Sequence, residues 1–182
     1  MSLPLVAVGG PPGSGKTTAA LQTAEILGLE YHSAGARFRA QAEEHDMPLD
    51  EFSRFAGNHP EVDRDLDEYM LGLARPGRLL DARLAGPLAR RAGVAVLYLV
   101  VTARPEVRAK RLAARDHLPV AAARRAMLAR EESEHTRYLA LYGIDLAVEP
   151  TDLNVDSSEI SAAEVVTRLV DFIRARDTPS RA

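Results

Sequence analysis

The chain has 182 residues, 46% of them hydrophobic, which is enough to enclose one sizeable core and too little for two independent ones. Its 23 basic and 26 acidic residues leave a formal charge of -3, so no excess of either sign points to nucleic acid or an anionic membrane as partner. The absence of cysteine excludes disulfides, thiolate metal sites and cysteine nucleophiles, and agrees with a reducing, cytoplasmic setting.

The strongly apolar stretch Val94 to Val101 falls far below the roughly 18 residues of a membrane span, and Met1-Ser2-Leu3-Pro4 lacks the basic region of a signal peptide. We therefore expect one soluble domain over residues 1–182, with local insertions. Lys16 and Lys110 are the sole lysines, so a lysine's position is informative here.

In chain order, Leu5 to Val8 is a short apolar run closed by Gly9 and Gly10, the pattern of a buried strand. Ala20, Leu21, Ala24 and Leu27 then recur at helical spacing, with Gly28 placed to cap the helix. Leu29 to His32 reads as a second strand. Residues 34–75 read as three helical pieces, broken near Met47-Pro48 and Asn58-His59-Pro60. Leu79 to Ala82 and Val94 to Val101 follow as strands. Pro105 opens a helix to about Arg115, and Pro119 a long one to about Tyr142, with Gly143 at its end. Asp152 to Asp156 is a last strand, 162–176 a closing helix, and 177–182 a loose tail. Strands alternating with helices imply an α/β fold, a parallel sheet with helices on both faces. The helical excursion over 33–75 exceeds what a crossover needs, and such an excess usually covers a substrate.

Gly10-Pro11-Pro12-Gly13-Ser14-Gly15-Lys16-Thr17 fits the phosphate-loop pattern G-x-x-x-x-G-K-[ST], between an apolar strand and a helix. Glycines let the backbone aim several N–H groups at one phosphate, and the helix N-terminus adds its dipole. On this reading Gly10 to Thr18 hold ATP, Lys16 bridges its β and γ phosphates, and the Thr17 hydroxyl ligates Mg²⁺. A guanine switch would need an Asn-Lys-x-Asp sequence, whereas Lys110 sits in Ala-Lys-Arg-Leu. A motor or AAA-type assembly would need a larger body. A compact kinase remains.

Arg130 and Arg137 lie seven positions apart on one helix face with Glu134 between them, and Arg108, Arg111 and Arg115 form another basic stripe. Either stripe alone also fits a solvated face. Beside a phosphate loop both point to phosphate contact, and residues 108–137 read as a short lid over ATP. At the end of the third strand, Asp81 is placed to hold Mg²⁺ through water and Arg83 to grip an acceptor phosphate. The five histidines lie too far apart in sequence to suggest a metal site.

These segments resemble the cytidylate kinases, in particular their short archaeal form, within the nucleoside monophosphate kinases. The resemblance runs nearly end to end through the loop, Ser33-Ala34-Gly35-Ala36-Arg37-Phe38-Arg39, Glu61 to Asp67, and Leu80-Asp81-Ala82-Arg83-Leu84-Ala85-Gly86. It continues through Arg130 to Glu134 with Arg137-Tyr138, then Tyr142 to Asp145 and Asp152 to Ser157. It implies a doubly wound parallel five-stranded sheet with a helical monophosphate-binding insertion, and transfer of phosphate from ATP to CMP, often also dCMP. It implies further that Ser33, Gly35, Arg39, Asp63 and Gly86 lie on the acceptor side, with Arg83 on its phosphate. Arg130 and Arg137 would bracket the transferred group, and Arg111 and Arg115 would belong to the lid. Ala82 departs from the family's usual glycine, and Lys16 from the threonine of several short-form members. A kinase for UMP, AMP, shikimate or dephospho-coenzyme A, and a non-catalytic ATP-binding protein, remain alternatives. A monomer is expected.

Overall fold

The computed structural model describes residues 3–177, the side chains of Asp50 and Asp177 excepted; of the tail expected at 177–182, Asp177 ends a helix and residues 178–182 lie outside the described residues. In order come β1 (Val6–Gly9), α1 (Lys16–Leu27), β2 (Glu30–Ser33), α2 (Ala34–Glu44), α3 (Leu49–Asn58), α4 (Pro60–Gly72), β3 (Arg78–Asp81) and α5 (Ala85–Arg91). They are followed by β4 (Leu97–Thr102), α6 (Pro105–Asp116), α7 (Val120–Tyr142), β5 (Leu153–Asp156) and α8 (Ala162–Asp177). The five strands form one sheet in the order β2-β3-β1-β4-β5, every pairing parallel. Because β1 stands at the centre, the carboxyl ends of β1 and β3 open side by side, where open α/β sheets bind ligands.

β1 and β3 are buried throughout and β4 largely so, which is why the inner strands read as apolar runs rather than alternating ones. Val6, Val8, Leu79, Leu99, Val101 and Val155 pack with Ala20 and Ala24 of α1 and with Val166, Leu169 and Ile173 of α8. The opposite face sets Ala7, Leu80 and Tyr98 against Met70 of α4 and Ala85 and Ala89 of α5. Two satellite clusters lie off the sheet. Phe52, Ala56, Ala42 and Val62 join α2, α3 and α4, and Ala109, Leu112, Ala123 and Met127 join α6 to α7.

Element ends shift for identifiable reasons. Val94 to Val96 lie outside β4, because the Val94 amide closes the end of α5 on the Ala89 carbonyl and sheet pairing starts at Leu97. Leu29 is outside β2 because its amide binds the Ala24 carbonyl in the α1 cap at Gly28. Ser33 joins β2 and also caps α2, its hydroxyl accepting from the Ala36 amide at 3.3 Å. Arg78 joins β3, opposite Glu30, and their side chains pair at 2.8 Å. Among the described residues no helix is long and apolar enough to cross a membrane.

Candidate active site

Residues 10–15 carry the chain from β1 into α1. Gly10 has φ 139°, and a methyl group there would stand 2.1 Å from the Val101 carbonyl oxygen, so glycine is demanded both by conformation and by the approach to β4. Gly15 caps α1 in the left-handed region at φ 88° with no side-chain hydrogen bond, and the first turn of α1 carries no carboxylate. The helix therefore presents its positive end and its first amides to an anion.

The loop is braced from beneath. Arg108, buried in α6, donates to the Ala103 carbonyl at 3.0 Å and the Pro12 carbonyl at 3.3 Å, and pairs with Glu131 of α7. Arg111 reaches the Ser14 carbonyl at 3.3 Å and the Ser157 hydroxyl at 2.8 Å, and that hydroxyl donates to the Ser14 carbonyl at 2.7 Å. Two members of the α6 stripe thus grip loop carbonyls, which lock the loop's shape. Arg115 does not reach the loop: its side chain is 67% exposed and pairs with the adjacent Asp116 at 2.7 Å, since α6 ends there. Beside the loop, Ser14, Gly15, Thr18, Arg111, Ser157 and Ile160 help line an open cavity of roughly 230 Å³.

Asp81 ends β3 between Val8 of β1 and Ser33 of β2, and is only 1% exposed. Lys16 Nζ lies 2.5 Å from its Oδ1, while Oδ2 accepts from Thr17 at 2.8 Å, Tyr31 at 2.9 Å and Ser33 at 3.5 Å. Burial and the Asp81 charge push the Tyr31 hydroxyl far above its ordinary pKa, so it stays a donor. A threonine hydroxyl and an aspartate carboxylate in contact are the hard oxygen donors that Mg²⁺ takes alongside water and phosphate. Among the described residues no cluster of three or more His, Asp or Glu side chains is placed to hold a metal.

Beyond the strand ends, α7 brings three arginines together. Glu134, 4% exposed, takes Arg130 at 2.7 Å and Arg83 at 3.2 Å, and Arg137 pairs with Asp63 of α4 at 2.8 Å. Each cation is thus held on an internal carboxylate that an incoming phosphate can replace. Gly35 and Arg39 stand at the start of α2, where the Arg39 guanidinium would lie 3.7 Å from a Cβ at 35 and the Ser33 hydroxyl 3.8 Å. Gly86 lies in α5 against the Tyr98 ring, 2.2 Å from where its Cβ would be, so helix-to-sheet packing alone requires glycine there.

Sequence reading passed over Tyr31, Glu131, Ser157 and Asp67. Tyr31 was within reach, because residues two apart on a strand share a face and the resemblance already put Ser33 on the acceptor side. Burial, with the neighbouring Asp63 charge adding to it, raises the Asp67 carboxyl to about 7 from an ordinary 3.8. An acid protonated more readily when folded stabilises the fold below pH 4, and that contribution is lost as pH rises to 7. Asp67→Asn is therefore expected to stabilise the protein at pH 8 by on the order of 2–4 kcal/mol and to gain little near pH 4. Denaturant melts at the two values check this; an equal gain at both contradicts it.

A parallel sheet in this strand order, a glycine loop feeding α1 and an arginine cluster beyond the strand ends define a P-loop kinase. The family model described as "AAA domain" matches residues 6–137. The cytidylate kinase of Pyrobaculum arsenaticum is 39% identical, the match covering 92% of this chain and 91% of that one, and that of Methanopyrus kandleri is 37% identical over 96% and 97%. A solved structure of shikimate kinase from Bacteroides thetaiotaomicron superposes with a TM-score of 0.62 at 12% identity, over 95% of this chain and 99% of that one, a likeness of fold alone. The chain belongs to the cytidylate kinase family, and its loop-bearing body to the AAA-domain family.

Proposed function

We propose that the protein transfers the γ-phosphoryl group of ATP to the 5′-phosphate of CMP, giving CDP and ADP, and that it also accepts dCMP. The observation that carries this reading is the set Arg83, Arg130 and Arg137, gathered beside a phosphate loop in a member of this family. Residues 10–15 and the first amides of α1 receive the β and γ phosphates, and the adjoining cavity takes the adenine. Lys16 exchanges Asp81 for the transferred phosphoryl group. Thr17, with Asp81 through water, would hold Mg²⁺, whose chemistry there would be to neutralise phosphate charge.

Arg83 holds the acceptor phosphate, with Ser33, Gly35 and Arg39 on the same side and Asp63 on α4. One acceptor oxygen forms a bond to the γ-phosphorus as the bond to the β-bridging oxygen breaks, and ADP leaves with that electron pair. The acceptor phosphate is already ionised, so no strong base is needed. Catalysis comes from alignment and from charge placed by Lys16, Arg130 and Arg137. The far end of the α6–α7 hairpin, turned by residues 117–119, forms the lid that excludes water, while Arg108 and Arg111 at its root brace the loop. The enzyme acts as a soluble cytoplasmic monomer without nucleic acid.

A coupled ADP-release assay with MgATP against CMP, dCMP, UMP, AMP and shikimate tests this. CMP and dCMP are expected to have the highest kcat/KM. Preference for AMP or shikimate, or ATP binding with no diphosphate formed, contradicts it.

A further inference from the structure

Glu134 differs from the other carboxylates of the site because two arginines share it. It lies on α7 and is only 4% exposed. Its Oε1 accepts from the Arg130 Nε at 2.7 Å, and its Oε2 lies 3.2 Å from the Arg83 Nη2. These two cations serve different phosphates in the proposed reaction, Arg83 the acceptor's and Arg130 the transferred one. One buried carboxylate therefore sits between the two groups that must meet in line.

A buried carboxylate stripped of both guanidinium partners would be an uncompensated charge, which is strongly destabilising, so substrate phosphates cannot displace Glu134 from both arginines at once. They need not do so, because a guanidinium carries five N–H donors and each arginine commits a single nitrogen to Glu134. Arg83 keeps a spare donor inside the protein, since its Nε is buried without a hydrogen-bond partner. Its contact with Oε2 is an ion pair with no formed hydrogen bond, so the guanidinium can turn about the carboxylate to meet a phosphate. One turn along α7, burial and the nearby Glu134 charge push the Tyr138 hydroxyl far above its ordinary pKa, so it adds no second negative charge.

We propose that Glu134 is a positioning residue: it stays between Arg83 and Arg130 through turnover, sets the spacing of acceptor phosphate and transferred group, and so keeps the transfer from going to water. The inference rests on the CMP kinase reading and deepens it. Alignment is what favours the acceptor oxygen over water as nucleophile. Once the spacing is lost, a water oxygen bonds to the γ-phosphorus as the bond to the β-bridging oxygen breaks. ADP leaves with that electron pair, and the protons of the water pass to phosphate and solvent. Glu134 thus bears on the fidelity of transfer as well as on its rate.

The test uses the full chain with MgATP and saturating CMP, and measures CDP and inorganic phosphate separately. Glu134→Gln keeps the size and shape of the side chain, but it offers one acceptor oxygen and turns an amide donor toward the second guanidinium. It should lower kcat for CDP formation at least about tenfold and raise the ratio of inorganic phosphate to CDP at least about tenfold, with MgATP affinity nearly kept. Loss of folded protein would lower both products together and leave the ratio alone, so the ratio separates positioning from stability. Glu134→Asp, which retains both oxygens on a shorter arm, should give a ratio between those of the wild type and Glu134→Gln. A folded Glu134→Gln with the wild-type ratio overturns the proposal; where that variant does not fold, a wild-type ratio for Glu134→Asp overturns it. In either case CDP formed by the wild type still upholds the parent reading, whereas no CDP from the wild type overturns both.

Discussion

Lys16→Met is expected to lower kcat/KM for CMP phosphorylation by at least about a thousandfold, the scale of removing a preorganised charge from a developing phosphoryl transition state. The ammonium sits 2.5 Å from a carboxylate that is 1% exposed, so its position is fixed before any ligand arrives. Stability should suffer much less, because Thr17, Tyr31 and Ser33 continue to donate to Asp81 when Lys16 is gone. Steady-state kinetics paired with thermal melts separate the two effects. Activity within about tenfold of wild type would remove Lys16 from the chemistry.

Arg137→Ala should cut kcat by at least about a hundredfold with little change in MgATP affinity, as loss of a contact made to the group in flight requires. It also strands Asp63, which is buried and already held above the usual carboxylate range by burial, with Arg137 as its opposing charge. Removing one partner of such a pair costs about 3–5 kcal/mol in fully buried cases. Arg137→Lys keeps the charge near Asp63 while giving up the planar fork, so it should regain stability and recover kcat only in part. A variant with full kcat would show that Arg137 serves structure alone.

The elements were legible where the sequence carried local signals. The loop from Gly10 to Thr17, the glycine ends of α1 and α7 and the prolines opening α4 and α6 all lie within two residues of where spacing puts them. Strand ends were less so, because whether Leu29 or Val94 pairs in the sheet is settled by a helix cap that competes for the same amide. The arginines show the same division. Spacing put Arg130, Glu134 and Arg137 on one face of α7, yet only the fold brings Arg83 to Glu134 and Asp63 to Arg137. For Arg108, Arg111 and Arg115 the helical stripe was real, but packing of α6 under the loop turned the first two toward backbone carbonyls and left the third outside. Asp67 is a harder case. Nothing in its local sequence marks it, and its raised pKa arises from burial between helices far apart in the chain.

The ion pairs within the site also explain how so many cations stay folded together. Lys16 rests on Asp81, Arg83 and Arg130 share Glu134, and Arg137 rests on Asp63, so every one of these cations has a carboxylate partner while the set keeps a net positive charge for phosphate. Substrate phosphates then compete with carboxylates already in place, and the cations need only short movements between partners.

Phosphorus NMR of the protein incubated with CMP, ATP and Mg²⁺ follows the transferred group itself. The account predicts that the γ-phosphorus signal of ATP declines as the two resonances of CDP and those of ADP grow in equal proportion. Inorganic phosphate appearing in place of CDP, or an unchanged spectrum, would contradict it.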